Sequence, residues 1–147
     1  MSGLATLRLE RSFQAPVQAV CDAWTSPEVM RRWWHAAADW ETPEAVVDLR
    51  VGGAVRVVMR NPHSGSEYGG GGSYVEIDPP RRLAFTWTWD GETRETLIEI
   101  GFEESDGVTT VIFAHSALRD TESVRMHEEG WSTCFGNLER VLGRSTR

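Results

Sequence analysis

Cysteine is scarce: only Cys21 and Cys134 occur in 147 residues, far apart and with no CxxC. That excludes a disulfide framework or a cysteine-rich zinc site, and each thiol reads as a small buried hydrophobe. Long apolar runs are also missing; nothing approaches the roughly 18 uninterrupted apolar residues of a membrane-crossing helix, so no membrane association is expected. Cations are few, with 15 Lys and Arg against 22 Asp and Glu, a net charge of −7, and they form no dense cluster. Nucleic acid, which is gripped through clustered cations on phosphates, is therefore not an expected partner. The chain opens with no basic flank and apolar stretch of the secretory kind, so a cytoplasmic location is expected. Catalytic signatures are absent as well: there is no GxSxG, HExxH or P-loop, and no cysteine beside a base. Catalytic residues stay unknown on this reading.

Tryptophan is what the chain has in excess, 7 residues at positions 24, 33, 34, 40, 87, 89 and 131. Indole is bulky and carries one N–H that needs a partner, so such a core has large irregular surfaces suited to stacking on something flat. The remaining composition, 40% hydrophobic and 25% charged, is that of a globular chain, and the length suits one domain over residues 1–147.

Residues 4–13 alternate Leu7, Leu9, Arg11 and Phe13 against polar neighbours, the period of a half-buried strand. Arg11, on the inward parity, either reaches solvent at the strand end or needs an interior acceptor. Two short helices follow, Val17 to Trp24 and Pro27 to about Trp34, with Ser26 as the candidate cap of the second. Strands are expected over Ala45 to Arg50, Ala54 to Arg60, Ser73 to Asp78 and Leu83 to Trp89, then as a hairpin around Ser105-Asp106-Gly107. Asp48, Arg50 and Gly52-Gly53 read as a structural corner, and Gly69 to Gly72 as a flexible loop or bulge. Asp120 to Leu142 is amphipathic at helical spacing, with Gly130 and Gly136 costing about 1 kcal/mol each unless close packing compensates.

The order is one strand, two short helices, six strands and one long helix. It predicts an α+β, helix-grip architecture: a curved antiparallel sheet of about six or seven strands wrapped around the C-terminal helix. Such a sheet leaves a wedge between itself and the helix, a favoured place for small molecules.

Particular residues then point to a family. Arg11-Ser12-Phe13-Gln14-Ala15-Pro16, Ala23-Trp24-Thr25-Ser26-Pro27-Glu28, Trp33-Trp34 and Asp48-Leu49-Arg50-Val51-Gly52-Gly53 come first. Tyr74-Val75-Glu76-Ile77, Pro79-Pro80-Arg81-Arg82-Leu83, Phe85-Thr86-Trp87 and Gly130-Trp131 with Leu138 follow in order. This set resembles the START-like (SRPBCC, Bet v 1-like) superfamily, and within it the family named after the activator of the Hsp-90 ATPase. The resemblance implies the helix-grip fold and a pocket, not a reaction. His35-Ala36 stands where the family often has Gly-Pro, and the four-glycine stretch is longer than the pattern requires.

The function read from these features is binding of a small apolar or aromatic molecule between sheet and helix. Met59, Trp87, Trp89, Phe113 and Trp131 are the expected walls, and His115 and His127 the polar anchors. Tyr74 joins them only if a bulge re-aims it, because its parity opposes that of Val75 and Ile77. Two alternatives stand beside this: a cyclase- or hydrolase-like enzyme with His115 or His127 as base, and a chaperone-regulating or other protein-interaction module. His35 and His63 lie on expected loops without ligand spacing to the other two histidines, so neither metal nor cofactor is expected. Self-association as a homodimer stays open.

Overall fold

The computed structural model describes residues 4–142. Strand β1 (Ala5–Phe13) leads into helices α1 (Val17–Thr25) and α2 (Pro27–Trp33). Six strands follow: β2 (Glu41–Val47), β3 (Ala54–Arg60), β4 (Glu67–Asp78), β5 (Arg82–Trp89), β6 (Thr96–Ser105) and β7 (Val108–Leu118). Helix α3 (Thr121–Leu142) closes the order. All seven strands form one antiparallel sheet in the order β1-β7-β6-β5-β4-β3-β2, so consecutive strands are neighbours except for β1, which returns beside β7. This is the helix-grip arrangement expected from the element order. No helix among the described residues is long and apolar enough to cross a membrane.

Period-two alternation does the folding work. Leu7 and Phe13 of β1, Ile98, Ile100 and Phe102 of β6, and Val111, Phe113 and His115 of β7 all turn to the concave side and are buried. Onto them α3 lays Trp131, Cys134, Phe135 and Leu138, four buried residues on one helical stripe. Phe135 meets Phe13, Phe113 and Trp24 edge-on or nearly so, and these rings pack one end of the interior. Arg11 resolves its two readings through neither carboxylate nor full exposure: its guanidinium lies 5.8 Å from the centre of the Phe135 ring, a cation–π contact at a half-buried site. Ser26 holds the cap position of α2 but gives no side-chain cap bond; Pro27 provides the preset first turn.

Three expectations need correction. The second strand is Glu41–Val47 rather than Ala45 to Arg50. Pro43 fits inside it because β2 is a sheet edge with an irregularity between Glu41 and Glu44, where a missing N–H costs no ladder bond. Residues 48–53 make the corner instead, with Asp48 N–H donating to the Ala54 carbonyl, Gly53 N–H to that of Arg50, and Gly52 at φ 86°.

The glycine run is not a loop or a bulge. Gly69 to Gly72 lie in the middle of β4 and pair in register with Val58 to Val55 of β3. Their role is close approach: a Cβ on Gly70 would stand 2.7 Å from the Trp87 ring, and one on Gly72 would stand 2.1 Å from the Thr86 carbonyl oxygen. The irregularity comes later, where Tyr74 pairs Phe85 and Glu76 pairs Ala84, leaving Val75 as the extra residue. Tyr74 turns in and Val75 out, and the extra residue lets Ile77, three positions on, pack against the core as well.

The helix glycines are the third correction. A Cβ on Gly136 would meet nothing within 4 Å and one on Gly130 only the Ala36 methyl at 3.7 Å, so close packing does not explain either. The two glycine settings predict opposite outcomes. Gly136→Ala should raise the unfolding free energy by about 0.5–1 kcal/mol through helix propensity and a stiffer unfolded chain. Gly72→Ala should lower it by more than about 2 kcal/mol, because backbone must move. Urea unfolding of both variants checks this, and a neutral Gly72→Ala would refute the close-approach role.

Candidate functional site

The end of the interior away from Phe13 is open. Between the N-terminal half of α3 and the β3–β4–β5 side of the sheet lies a cleft of about 830 Å3. Its apolar lining is Trp34 and Ala36 after α2, Val58 and Met59 of β3, Trp87 and Trp89 of β5, Leu118 of β7, and Met126, Trp131 and Cys134 of α3. Trp34 is the centre of the floor: its ring stacks on Trp87 at 5.5 Å and 25°, stacks on Trp33 at 5.5 Å, and sits 5.2 Å from Trp131. Trp87 in turn meets Trp89 edge-on at 5.3 Å. The indoles are thus locked to one another rather than free to swing, a preformed wall.

Two histidines hold this wall to the helix. The Trp131 indole N–H donates to His115 Nδ1 at 3.2 Å, and His115 Nε2 is 2.8 Å from the Thr96 hydroxyl, which itself donates to the Trp87 carbonyl at 2.8 Å. An indole can only donate, so Nδ1 is bare and the ring is the neutral tautomer with its proton on Nε2. The second histidine reverses the direction. Trp89 Nε1–H donates to His127 Nε2 at 3.2 Å, while His127 Nδ1 donates to the Ser123 carbonyl one turn back at 2.8 Å. The two imidazoles meet edge-on at 5.0 Å. Every lone pair that a general base would use is therefore occupied by an indole N–H. Burial first, and His127 beside it second, push the His115 pKa down to about 3 from its ordinary 6.5, which keeps the ring neutral.

The rim is tied by a second set of contacts. Trp40, after α2, stacks on Tyr68 of β4 at 5.4 Å and 12°, and both line the cleft. Beside them His63 Nε2 lies 2.7 Å from Asp39, whose carboxyl is held below its usual range by that hydrogen bond, and Arg60 bonds Glu41. On the outer face of the same strands, next to the opening, Arg56 makes a two-pronged pair with Asp90 at 2.8 and 3.0 Å and reaches Glu44 at 3.6 Å. Three further charges line the opening, Glu92 and Arg94 between β5 and β6 and Arg119 before α3.

Of the residues singled out from sequence, Met59, Trp87, Trp89, His127 and Trp131 come together on the cleft lining. His115 and Phe113 stand behind Trp131 in the packed interior, Phe113 with its ring 4.7 Å from that indole. Tyr74 faces inward but packs on Phe85 away from the opening; burial raises its pKa to about 12, and its hydroxyl has no hydrogen-bond partner among the described residues. Sequence reasoning missed Trp34, Trp40 and Tyr68. Trp34 carried a signal in the Trp33-Trp34 pair, whereas Trp40 and Tyr68 sit on segments whose meeting only the sheet determines. Cys21 and Cys134 are buried free thiols, with Cys134 raised to about 12 by burial. Among the described residues no group of three or more His, Cys, Asp or Glu is placed to hold a metal ion.

The neutral histidines predict an acid-sensitive fold. The unfolded chain takes up a proton on His115 near pH 6.5 that the folded chain refuses until about pH 3. Stability is therefore full above 6.5 and is lost as pH falls, by up to about 1.4 kcal/mol per unit for one proton. His35, lowered by burial and by Arg140, acts in the same direction. Urea unfolding should show this fall between pH 7 and 5, and His115→Gln should be about 1–3 kcal/mol less stable at pH 7 with a shallower slope. Equal slopes in the two proteins would remove His115 from the explanation.

Comparison with known proteins agrees with the geometry. A protein of Chromobacterium violaceum of known structure superposes with a TM-score of 0.86 at 22% identity, over 95% of this chain and 99% of that one. The AHSA1 protein of Silicibacter pomeroyi gives 0.79 at 30% identity, over 92% of this chain and 96% of that one. An AHSA1-like protein of Aeromonas hydrophila gives 0.80 at 24% identity, over 97% and 99%. None of the curated proteins matches the chain. The family model described as "Activator of Hsp90 ATPase homolog 1-like protein" matches residues 14–143, nearly the whole sequence, and the chain belongs to that family.

Proposed function

We propose that the protein is a single helix-grip unit that binds a small, flat, apolar or aromatic molecule in the cleft between sheet and α3. The observation that carries this reading is the contrast between the two ends of one interior. Around Phe135 the aromatic side chains pack against one another, whereas a cleft of about 830 Å3, within the range of small-molecule sites, opens beside Trp89, Tyr68 and His127, with the nearly buried Trp34 and Trp87 rings behind them. Trp34, Trp87, Trp89, Trp131 and Met59 serve as walls. His127 lies on the lining as a fastener of Trp89, and His115, Phe113 and Tyr74 support the wall from behind. Affinity comes from burying a flat face against preset indoles, which have little freedom left to lose on binding.

The base-catalysed enzyme reading has less support, because His115 and His127 hold indole N–H groups on the nitrogens such chemistry needs. A chaperone-directed role would draw on the outer surface and leaves the open cleft without a purpose.

Gly130 offers a test that separates binding from folding. It lines the cleft, and a Cβ there meets only the Ala36 methyl at 3.7 Å, so a larger side chain enters the open space. Gly130→Leu should weaken binding of 2-naphthylmethanol, followed by calorimetry, at least tenfold. The same variant should keep or raise the melting temperature, since Leu favours helix over Gly by about 0.7 kcal/mol or more. Unchanged affinity in a folded Gly130→Leu protein, or no binding of the naphthyl probe to the parent chain, would overturn the proposal.

A further inference from the structure

The cleft has apolar walls, but its two histidines are spent on the fold, so whatever orients a ligand must come from the charged residues at the opening. Most of those are also committed. Arg56 is taken by Asp90 and Glu44, and Glu67 faces Arg60 at 3.7 Å. Two cations are not. Arg94 makes no hydrogen bond or ion pair among the described residues. Arg119 has only Asp120, at 3.6 Å from Nε, and that carboxylate already accepts the Ser123 N–H at 2.9 Å in the first turn of α3.

The sheet brings these two arginines to one side. The β6–β7 ladder ends at the pair Leu97↔Ser116, and Arg94 and Arg119 each lie three residues beyond it, one on either chain segment. Both line the cleft. Helix α3 begins at Thr121, two residues after Arg119, with its N-terminus already capped by the Asp120 carboxylate and with Glu122 in its first turn. Glu92 is the opposing charge on this side; it is exposed and forms no ion pair with either arginine.

Resting on the binding reading above, we propose that the ligand is a planar aromatic carboxylate, its ring against the indole wall and its carboxylate held by Arg94 and Arg119. A guanidinium presents paired N–H donors that match two carboxylate oxygens, and beside aromatic walls that attraction is less screened than in open water. The acidic groups elsewhere at the opening, Glu44, Glu67 and Asp90, together with Glu92, make a cationic ligand the direct rival.

Calorimetry on the full chain at low salt with three matched probes decides between them: 2-naphthoate, 2-naphthylmethanol and 2-naphthylmethylammonium. Naphthoate should bind at least tenfold tighter than the alcohol. Arg94→Gln/Arg119→Gln, a change at two exposed positions, should erase that advantage while leaving the alcohol's affinity and the melting temperature unchanged. Added salt should weaken naphthoate alone. Equal binding of naphthoate and alcohol, a preference for the ammonium, or an advantage that survives in the double variant would overturn the inference and leave the binding reading intact. Failure of all three probes to bind would overturn both.

Discussion

Two indole N–H groups, those of Trp131 and Trp89, find their acceptors across the boundary between helix and sheet and so join the two, whereas the buried Trp24 N–H has no partner among the described residues. Helix α3 offers Trp131 to His115 of β7, and the sheet offers Trp89 of β5 to His127, one helical turn away on α3. The exchange is reciprocal, each element giving one donor and one acceptor. It fixes both the distance and the register of α3 along the concave face, which dispersion between rings alone would leave free to slide. Thr96 extends the same chain to the Trp87 carbonyl, so β5, β6, β7 and α3 share one continuous polar thread through an otherwise apolar interior.

With the helix so pinned, the shape of the cavity follows from side-chain volume. At one end Phe13, Phe113 and Phe135 meet edge to face. At the other, glycines in β4 let the Trp87 ring lie down on the strand backbone, flattening the wall where a larger residue would have filled it.

Much of this was legible in the chain itself. Period-two alternation in β1, β5, β6 and β7 and the three-and-four spacing of α3 reflect one-sided burial, which any sequence must display. The parity of His115 points to the interior, where its ring is buried, and the apolar stripe of α3 carries His127, half-buried at the cleft. What the alternation could not reveal was their use, because the tautomer of each depends on which indole arrives from another element. The glycine run misled for a similar reason: backbone freedom and the need for close approach leave the same letters, and only the Trp87 and Thr86 neighbours distinguish them. Tyr74 turned on one extra residue at Val75, and Pro43 on β2 lying at an edge. Trp40 with Tyr68, and Arg94 with Arg119, are paired by the ends of ladders, where no periodicity survives to announce a partner.

Six of the seven indoles form an unbroken chain, Trp24 to Trp33 to Trp34 to Trp87 to Trp89 with Trp131 alongside, every step between ring centres under 6 Å. At such separations electronic excitation passes between chromophores faster than it is emitted. Light absorbed deep beside α1 is handed along to whichever ring has the lowest excited state, and those nearest water, at the opening, are the ones that solvent relaxes most. The molecule's ultraviolet emission therefore reports on its doorway rather than on its bulk.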